Sequence, residues 1–170
     1  MKVKKNNFNF QRKIIKFPLS LTLLCLIISS FEANFLSKDQ DLPTVSSVDL
    51  TRYIGNWYET AKLPQPFEQG CFCVTATYSL NNDGTVKVWN QCRLNAPNGE
   101  ANGINGTARA IDSTNAKLKV KFFGPEGDYW IIALDSDYQW AMVGAPSRES
   151  LFILSRTPDL DATVTADLIA

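Results

Sequence analysis

Apolar and polar residues alternate along much of the chain between residues 56 and 156. The sharpest alternation runs from Lys117 to Phe122, where lysines at every second position separate Leu118, Val120 and Phe122. A two-residue period places one set of side chains in a core and the other in solvent, as in a β-strand. Together with seven further runs, the pattern predicts strands over residues 57–63, 74–80, 85–93, 101–110, 117–122, 129–134, 139–144 and 151–155.

Turn-forming sequences separate the predicted strands. Asn81 to Gly84 is typical of a hairpin, because glycine adopts the positive φ that tight turns need. No long crossover and no internal helix is predicted between residues 56 and 156, although residues 49–54 favour a single helical turn. We therefore predict an all-β fold, an eight-stranded antiparallel up-and-down barrel wide enough to hold one small ligand.

The first 33 residues are typical of a secretory signal peptide. Residues 1–16 carry six basic side chains and no acidic one, and an apolar run follows over residues 17–28. Cleavage is expected after Ser30 or Ala33. An uncleaved membrane anchor is the alternative, although the apolar run is shorter than the ~20 residues that a comfortable span needs.

The rest of the chain is predicted to comprise a polar leader over residues 34–48 and a barrel domain over residues 49–170. A lipid attached at Cys25 is a second alternative for the N-terminal region. Six of the 17 basic residues and one of the 17 acidic residues fall in residues 1–33, which leaves a net charge of −5. Nucleic-acid-binding proteins normally present a basic face to the phosphates, so no nucleic-acid partner is predicted.

The chain contains no histidine. This excludes Ser-His-Asp and Cys-His nucleophiles, imidazole zinc sites and histidine-ligated haem. Most hydrolase chemistry is excluded with them. We therefore predict no catalytic residue, no metal site and no cofactor.

Three segments of the chain carry a family resemblance. Gly55–Glu59 (GNWYE) contains Gly-x-Trp at the start of the first strand, Asp135–Tyr138 precedes the seventh strand, and Leu154–Pro158 places Arg156 at the end of the eighth. In this order and spacing they resemble the lipocalin family, and the intervening sequence is similar to the branch of bacterial outer-membrane lipocalins and apolipoprotein D. The resemblance covers residues 49–168 and implies a barrel that binds a small hydrophobic molecule.

The resemblance also implies that Gly55, Trp57 and Arg156 close one end of the barrel. Trp57 supplies a large apolar plate, and Arg156 is expected to stack on the indole while donating to nearby carbonyl groups. Such a cation–π contact contributes about 0.5–2 kcal/mol. The alternative is that Trp57 is ordinary core and Arg156 a solvated strand end.

Ligand contacts are expected from side chains on the inner face of the barrel. These side chains are mostly aliphatic or aromatic, with a few polar groups to orient a head group, and suit a fatty acid, a lysophospholipid or a sterol-like lipid. The two-residue period assigns to this face Tyr78, Val88, Asn90, Asn105, Leu118, Val120, Phe122, Trp140 and Phe152. Asn105 also begins a glycosylation sequon, Asn105-Gly106-Thr107, and a glycosylated Asn105 could not point inward.

Three cysteines lie within 22 residues of one another, at Cys71, Cys73 and Cys92. They permit one disulfide and one thiol in an oxidising compartment, and they are too close together for the inter-sheet pair of an immunoglobulin-type sandwich. The family resemblance implies a Cys71–Cys92 disulfide, with Cys73 as the free thiol. Strict hairpin register about Gly84 places Val74 opposite Cys92, so this pairing requires a bulge or an irregular strand start.

The predicted C-terminal helix is shorter than the family pattern. Lipocalins continue into a long helix and a final strand, whereas here Asp161 can cap only a short helix with Val164 and Leu168 on one face. We expect this helix to be truncated relative to the family.

These features predict binding and transport or storage of a small hydrophobic ligand, by a protein that is secreted or located in the cell envelope. Peripheral contact with a membrane is left open. The alternative function is a lipocalin-fold enzyme of the isomerase or de-epoxidase type that uses the thiol of Cys73. No enzymatic activity is predicted, because Cys73 has no histidine to activate it.

Overall fold

Eight antiparallel strands make up most of the described chain. The computed structural model describes residues 42–170. Its strands are β1 (Gly55–Lys62), β2 (Cys71–Leu80), β3 (Val86–Leu94), β4 (Ala101–Ala110), β5 (Lys117–Lys121), β6 (Gly127–Leu134), β7 (Trp140–Gly144) and β8 (Leu151–Ser155). Two short α-helices, α1 (Leu50–Tyr53) and α2 (Ala162–Ile169), flank the strands.

Each strand pairs with the next, and β8 pairs with β1, so the sheet closes into a barrel. This confirms the predicted fold class, including the short C-terminal helix. The predicted strand ranges agree with the structure except at a few ends. β1 begins at Gly55 rather than at Trp57, and β2 begins at Cys71 rather than at Val74.

The first hairpin shows how local sequence sets the register. The carbonyl of Thr85 accepts the N–H of Asn81 (2.8 Å), and Gly84 adopts φ +82° between them. The carboxylate of Asp83 accepts both the N–H and the hydroxyl of Thr85. The turn therefore pairs Leu80 with Val86 and fixes which residues of β2 and β3 face inward.

A bulge on β2 accommodates the disulfide. Phe72 pairs with Arg93 and Thr75 pairs with Gln91, so Cys73 and Val74 together oppose Cys92. Cys73 adopts φ +51° at this point. The disulfide links Cys71 to Cys92 and leaves Cys73 as an exposed thiol, which confirms the predicted pairing. Of the two predicted ways to accommodate it, the structure shows the bulge.

Residues 42–48, the described part of the predicted leader, lie against the barrel. The N–H of Val45 donates to the carbonyl of Ile131 (3.0 Å), and the N–H of Val48 donates to the carbonyl of Thr114 (2.8 Å). Val48 is buried in the core. The predicted signal peptide, with the alternatives at its cleavage site and Cys25, lies outside the described residues.

Helix α2 begins as predicted, because the carboxylate of Asp161 accepts the N–H groups of Thr163 and Val164. Val164 and Leu168 are half-buried and share one face of the helix. Neither helix of residues 42–170 has the length and apolar character needed to cross a membrane.

Candidate ligand-binding cavity

The inner faces of the strands enclose a cavity of about 940 Å³. It opens toward the end of the barrel that carries the loops 63–70, 95–100, 122–126 and 145–150, which we call the cavity mouth. Loop residues Phe67, Phe123 and Ala145 line the opening. The opposite end holds Trp57, Arg156 and α1, and we call it the Trp57 end.

Most of the predicted contact residues line this cavity, on four different strands and the loop after β5. Pairing explains why they converge: Tyr78 faces Val88 across β2 and β3, and Leu118 faces Tyr129 across β5 and β6. The predicted residues that the structure brings together here are Tyr78, Val88, Asn90, Leu118, Val120, Phe122 and Phe152.

Asn105 lies on the outer face of the barrel, which corrects its predicted inward orientation. It pairs with Trp89, whereas the neighbouring Ile104 pairs with the cavity residue Asn90. Gly103 and Gly106 flank Ile104 and Asn105 and have no side chain to show the alternation. The predicted inner and outer faces of β4 are therefore exchanged at this point. Asn105 is exposed and borders a shallow depression on the outer surface.

Trp140 also lies off the cavity, which corrects the second inward assignment. It pairs with Ser155, while the next residue, Ala141, pairs with the cavity residue Leu154. Because successive side chains point to opposite faces of a strand, Trp140 is on the outer face. It is the first residue of β7, where too little of the strand precedes it to show the period.

Three tyrosines meet in the cavity next to the Trp57 end. The hydroxyl of Tyr129 lies 2.8 Å from that of Tyr53 and 3.1 Å from that of Tyr78. Desolvation raises the pKa of Tyr78 to about 12 and raises the pKa values of Tyr53 and Tyr129 well above their ordinary value. All three are therefore neutral hydrogen-bonding groups in the physiological range of pH. Tyr53 and Tyr129 were not predicted, since their contact spans 76 positions.

A charged cluster lies on the β1 wall of the cavity. The amine of Lys62 donates to Glu59 (2.8 Å) and to Glu68, and both carboxylates line the cavity. A register shift between Glu59 and Ala61 allows this, because Glu59 pairs with Leu154 and Lys62 with Phe152. Glu59 and Lys62 thus face the same side although three positions separate them. Desolvation raises the pKa of Glu59.

One polar atom in the cavity wall has no hydrogen-bond partner. The side-chain oxygen of Asn90 is buried and accepts no hydrogen bond from the described residues. Asn90 pairs with Ala76 and Ile104, whose side chains also line the cavity and cannot donate. A buried acceptor of this kind favours a ligand with a hydrogen-bond donor.

The Trp57 end is held by a dense set of contacts. Trp57 is fully buried, and its indole N–H donates to the carbonyl of Tyr53 (2.8 Å). The guanidinium of Arg156 lies 3.8 Å from the centre of the Trp57 ring. It also donates to the carbonyls of Arg52, Tyr53, Asn56 and Tyr138.

Gly55 makes room for this arrangement. It adopts φ +101°, which favours glycine, and a Cβ atom at this position would lie 3.2 Å from a guanidinium nitrogen of Arg156. The backbone conformation therefore favours the glycine of the Gly-x-Trp motif, and a larger residue would also have to displace Arg156 by a few tenths of an ångström.

Neither a metal site nor a thiol site is found in the cavity. Within residues 42–170 no three His, Cys, Asp or Glu side chains are grouped to hold a metal ion. Cys73 is exposed and does not line the cavity, whereas the disulfide cysteines Cys71 and Cys92 do. A ligand in the cavity would therefore not meet the free thiol.

Known proteins share this architecture. Residues 48–170 match the family described as a lipocalin-like domain. The chain is 44% identical to the outer membrane lipoprotein Blc of Escherichia coli over 128 residues, which are 74% of this chain and 72% of that protein. It is 41% identical to apolipoprotein D of Cavia porcellus over 124 residues, which are 70% of this chain and 64% of that protein.

The fold comparison agrees. Insecticyanin of the tobacco hornworm Manduca sexta superposes with a TM-score of 0.59 at 25% identity, covering 76% of this chain and 74% of that one. The family match spans most of the chain, and the relatives named above include both groups that the sequence resembles. The chain belongs to the lipocalin family, whose members generally bind small hydrophobic ligands.

Proposed function

We propose that this lipocalin binds and carries or stores one lipid with a single long chain or a sterol-like skeleton. The observation that carries the proposal is the cavity of about 940 Å³, walled largely by apolar side chains and open at one end. Small-molecule sites in proteins typically have volumes of about 300–1,000 Å³. A fatty acid, a lysophospholipid or a sterol-like lipid matches both this size and these walls.

The contacts of the lipid would come from the inner faces of the strands. Val88, Leu118, Val120, Phe122 and Phe152 supply apolar surface for the ligand. Tyr78 and Asn90 supply polar groups on the β2–β3 wall. Asn105 and Trp140 have no part in this site, because both lie on the outer face.

The Trp57 end would act as the closed floor of the site. Trp57 fills the space. Arg156 stacks on the indole of Trp57 and donates hydrogen bonds to four backbone carbonyls, and Gly55 leaves room for the guanidinium. These three residues would stabilise the barrel without selecting the ligand, since neither Trp57 nor Arg156 lines the cavity.

Exchange of the lipid would take place through the mouth. Phe67 and Phe123 both line the cavity and are 72% and 79% exposed. Exposed aromatic side chains around a lipid-sized opening suit transient contact with a membrane surface. The relatives are named as an outer membrane lipoprotein and an apolipoprotein. They support a location in the cell envelope or outside the cell.

Binding is favoured over catalysis as the function. The alternative enzyme would use the thiol of Cys73, but that thiol is exposed on the bulge of β2 and lies off the cavity. A ligand held by Phe122 and Phe152 would be separated from it by the barrel wall.

A titration tests the binding proposal. We expect lysophosphatidylcholine, palmitate or a sterol to produce a saturable change in tryptophan fluorescence, with one site per chain. Ile104→Trp should abolish binding measured by calorimetry, because Ile104 lines the cavity and the larger ring would occupy it. Asn105→Trp is the matched control on the outer face. The absence of saturable binding across the lipid panel would contradict the proposal.

Vesicle flotation tests the proposed membrane contact. Phe67→Ser with Phe123→Ser should reduce binding to phosphatidylcholine–phosphatidylglycerol vesicles. Leu80→Ser with Ile111→Ser is the control, because these exposed apolar residues lie at the Trp57 end. Equal loss of vesicle binding in both variants would argue against contact through the mouth.

A further inference from the structure

The charged residues that line the cavity and its mouth are all acidic. Within residues 42–170 the lining contains no lysine or arginine, whereas it includes Glu59, Glu68, Asp128 and Glu149. Asp128 is paired with Lys119 on the outer face (2.7 Å). A cavity that binds a free carboxylate is expected to be lined by a cationic side chain. The charged side chains that line this cavity are carboxylates.

When Glu59 and Glu68 are both ionised, the cluster on the β1 wall carries net negative charge; the raised pKa of Glu59 moves this state to higher pH than for an ordinary carboxyl group. Two carboxylates, from Glu59 and Glu68, share the single amine of Lys62. The side chains of Glu59 and Glu68 are 9% and 12% exposed, so their charges are poorly screened by water. An anionic head group beside this cluster would be repelled, and a cationic one would be attracted.

The cavity next to the Trp57 end offers no cation either. Its polar groups are the hydroxyls of Tyr53, Tyr78 and Tyr129, which are already bonded to one another. The guanidinium of Arg156 is turned to backbone carbonyls and to the ring of Trp57. A carboxylate buried at this depth would lack the partner that a buried charge requires.

The oxygen of Asn90 supplies an independent indication of the ligand. It is a buried acceptor without a donor, in the wall of the same cavity. An ionised carboxylate has no hydrogen to donate, whereas an ammonium or a hydroxyl has. Both features of the wall therefore disfavour an ionised carboxylate as the head group.

We propose that the cavity prefers single-chain amphiphiles with an ammonium head group over free fatty acids, with the ammonium beside Glu59 and Glu68. This inference rests on the proposed lipid-binding function and names the ligand class within it. The hydrocarbon chain would lie against the apolar wall formed by Leu118, Val120 and Phe152.

Three ligands of equal chain length test the inference at pH 7.4: hexadecylamine, hexadecanol and palmitate, each below its aggregation concentration. We expect the amine to bind about tenfold more tightly than palmitate, with the alcohol between them. Glu59→Gln and Glu68→Gln should each lower the ratio of amine to palmitate affinity several-fold, and should lower the ratio of amine to hexadecanol affinity as well.

Glu126→Gln is the matched control, because Glu126 is exposed, pairs with Arg109 and does not line the cavity. It removes the same charge and should leave the ratio unchanged. Saturable binding with equal affinities, or with palmitate the tightest, would overturn the head-group inference and leave the binding function standing. Failure of all three ligands to bind would overturn both.

Discussion

The two ends of the barrel differ in how far their side chains are buried and hydrogen-bonded. At the Trp57 end, the indole is fully buried and Arg156 donates to four backbone carbonyls. At the mouth, Phe67 and Phe123 are largely exposed beside the cavity. Under the proposed function, one end would supply stability and the other access, so substitutions at the two ends should have separable effects.

Strand β1 joins the two regions. Gly55 and Trp57 belong to the Trp57 end, whereas Glu59 lines the cavity and is paired with Lys62. The register shift after Glu59 marks the change from one to the other. A single strand thus contributes to the packed Trp57 end over its first half and to the cavity lining over its second.

The largest expected effect on the free energy of unfolding comes from removing the side chain of Trp57. Trp57→Ala should lower the free energy of unfolding by about 3–5 kcal/mol, because it leaves a cavity in a well-packed region. This is a large part of the 5–15 kcal/mol typical of a domain. Phe123→Ala at the mouth should change it by less than about 0.5 kcal/mol, since that side chain is exposed. Urea denaturation measures both, and equal losses would remove the contrast between the ends.

The disulfide should contribute the next largest effect, near the mouth. Replacing Cys71 and Cys92 together by serine should cost about 3 kcal/mol, because the bond closes a loop across 21 positions. Cys73→Ser should leave stability nearly unchanged. Peptide mapping of the oxidised protein should find the Cys71–Cys92 link and one thiol at Cys73. Three free thiols in protein isolated from an oxidising compartment would contradict the assignment.

Arg156 gives a sharper test of the Trp57 end. Arg156→Ala should cost less than Trp57→Ala, because the indole still fills the space after the stacking contact and hydrogen bonds are lost. The two losses should be non-additive, with a coupling of at least about 0.5 kcal/mol in a double-mutant cycle. Arg156→Lys should recover only part of the loss, since one amine cannot replace a planar fork of donors. Strict additivity would show that the stacking contributes nothing.

The smallest effect on the fold is expected in the cavity. Phe152→Ala should weaken lipid binding about tenfold while lowering stability by less than Trp57→Ala does, because Phe152 faces the cavity. The neighbouring Ile153→Ala should do the reverse, since Ile153 is almost fully buried and does not line the cavity. Calorimetry with lysophosphatidylcholine and urea denaturation separate the two. Parallel losses in both variants would mean that the cavity wall and the core cannot be distinguished.

The barrel could be predicted from sequence because its signals are local. Alternation sets the inner face of β5, and Asn81–Gly84 sets the register of β2 and β3. Counting positions outward from that turn, together with the disulfide that the family resemblance implies, predicted a bulge or an irregular strand start opposite Cys92. The alternation and the turn depend on neighbouring residues, so the sequence alone reveals them.

Much of the cavity chemistry could not be predicted in this way. Glu59 and Lys62 share a face only because of a register shift in β1, and Tyr53 meets Tyr129 across 76 positions. The inward assignment of Asn105 was wrong because glycine leaves no side chain to show the period in that part of β4. The positions of these polar groups depend on a strand irregularity and on contacts between residues far apart in the chain. A short-range sequence pattern carries no information about either.

Pairing between β1 and β8 also determines when the barrel can close during folding. Arg156 donates to the carbonyl of Asn56, 100 positions earlier in the chain, and the hydrogen bonds between the two strands span similar separations. Contacts of such separation are expected to form slowly, since a long loop must be ordered before they stabilise it. During synthesis, β1 has no partner on this side until the residues of β8 (Leu151–Ser155) are added. A growing or refolding chain therefore presents two unpaired strand edges that the finished barrel lacks, and this is the stage at which it is most exposed to aggregation.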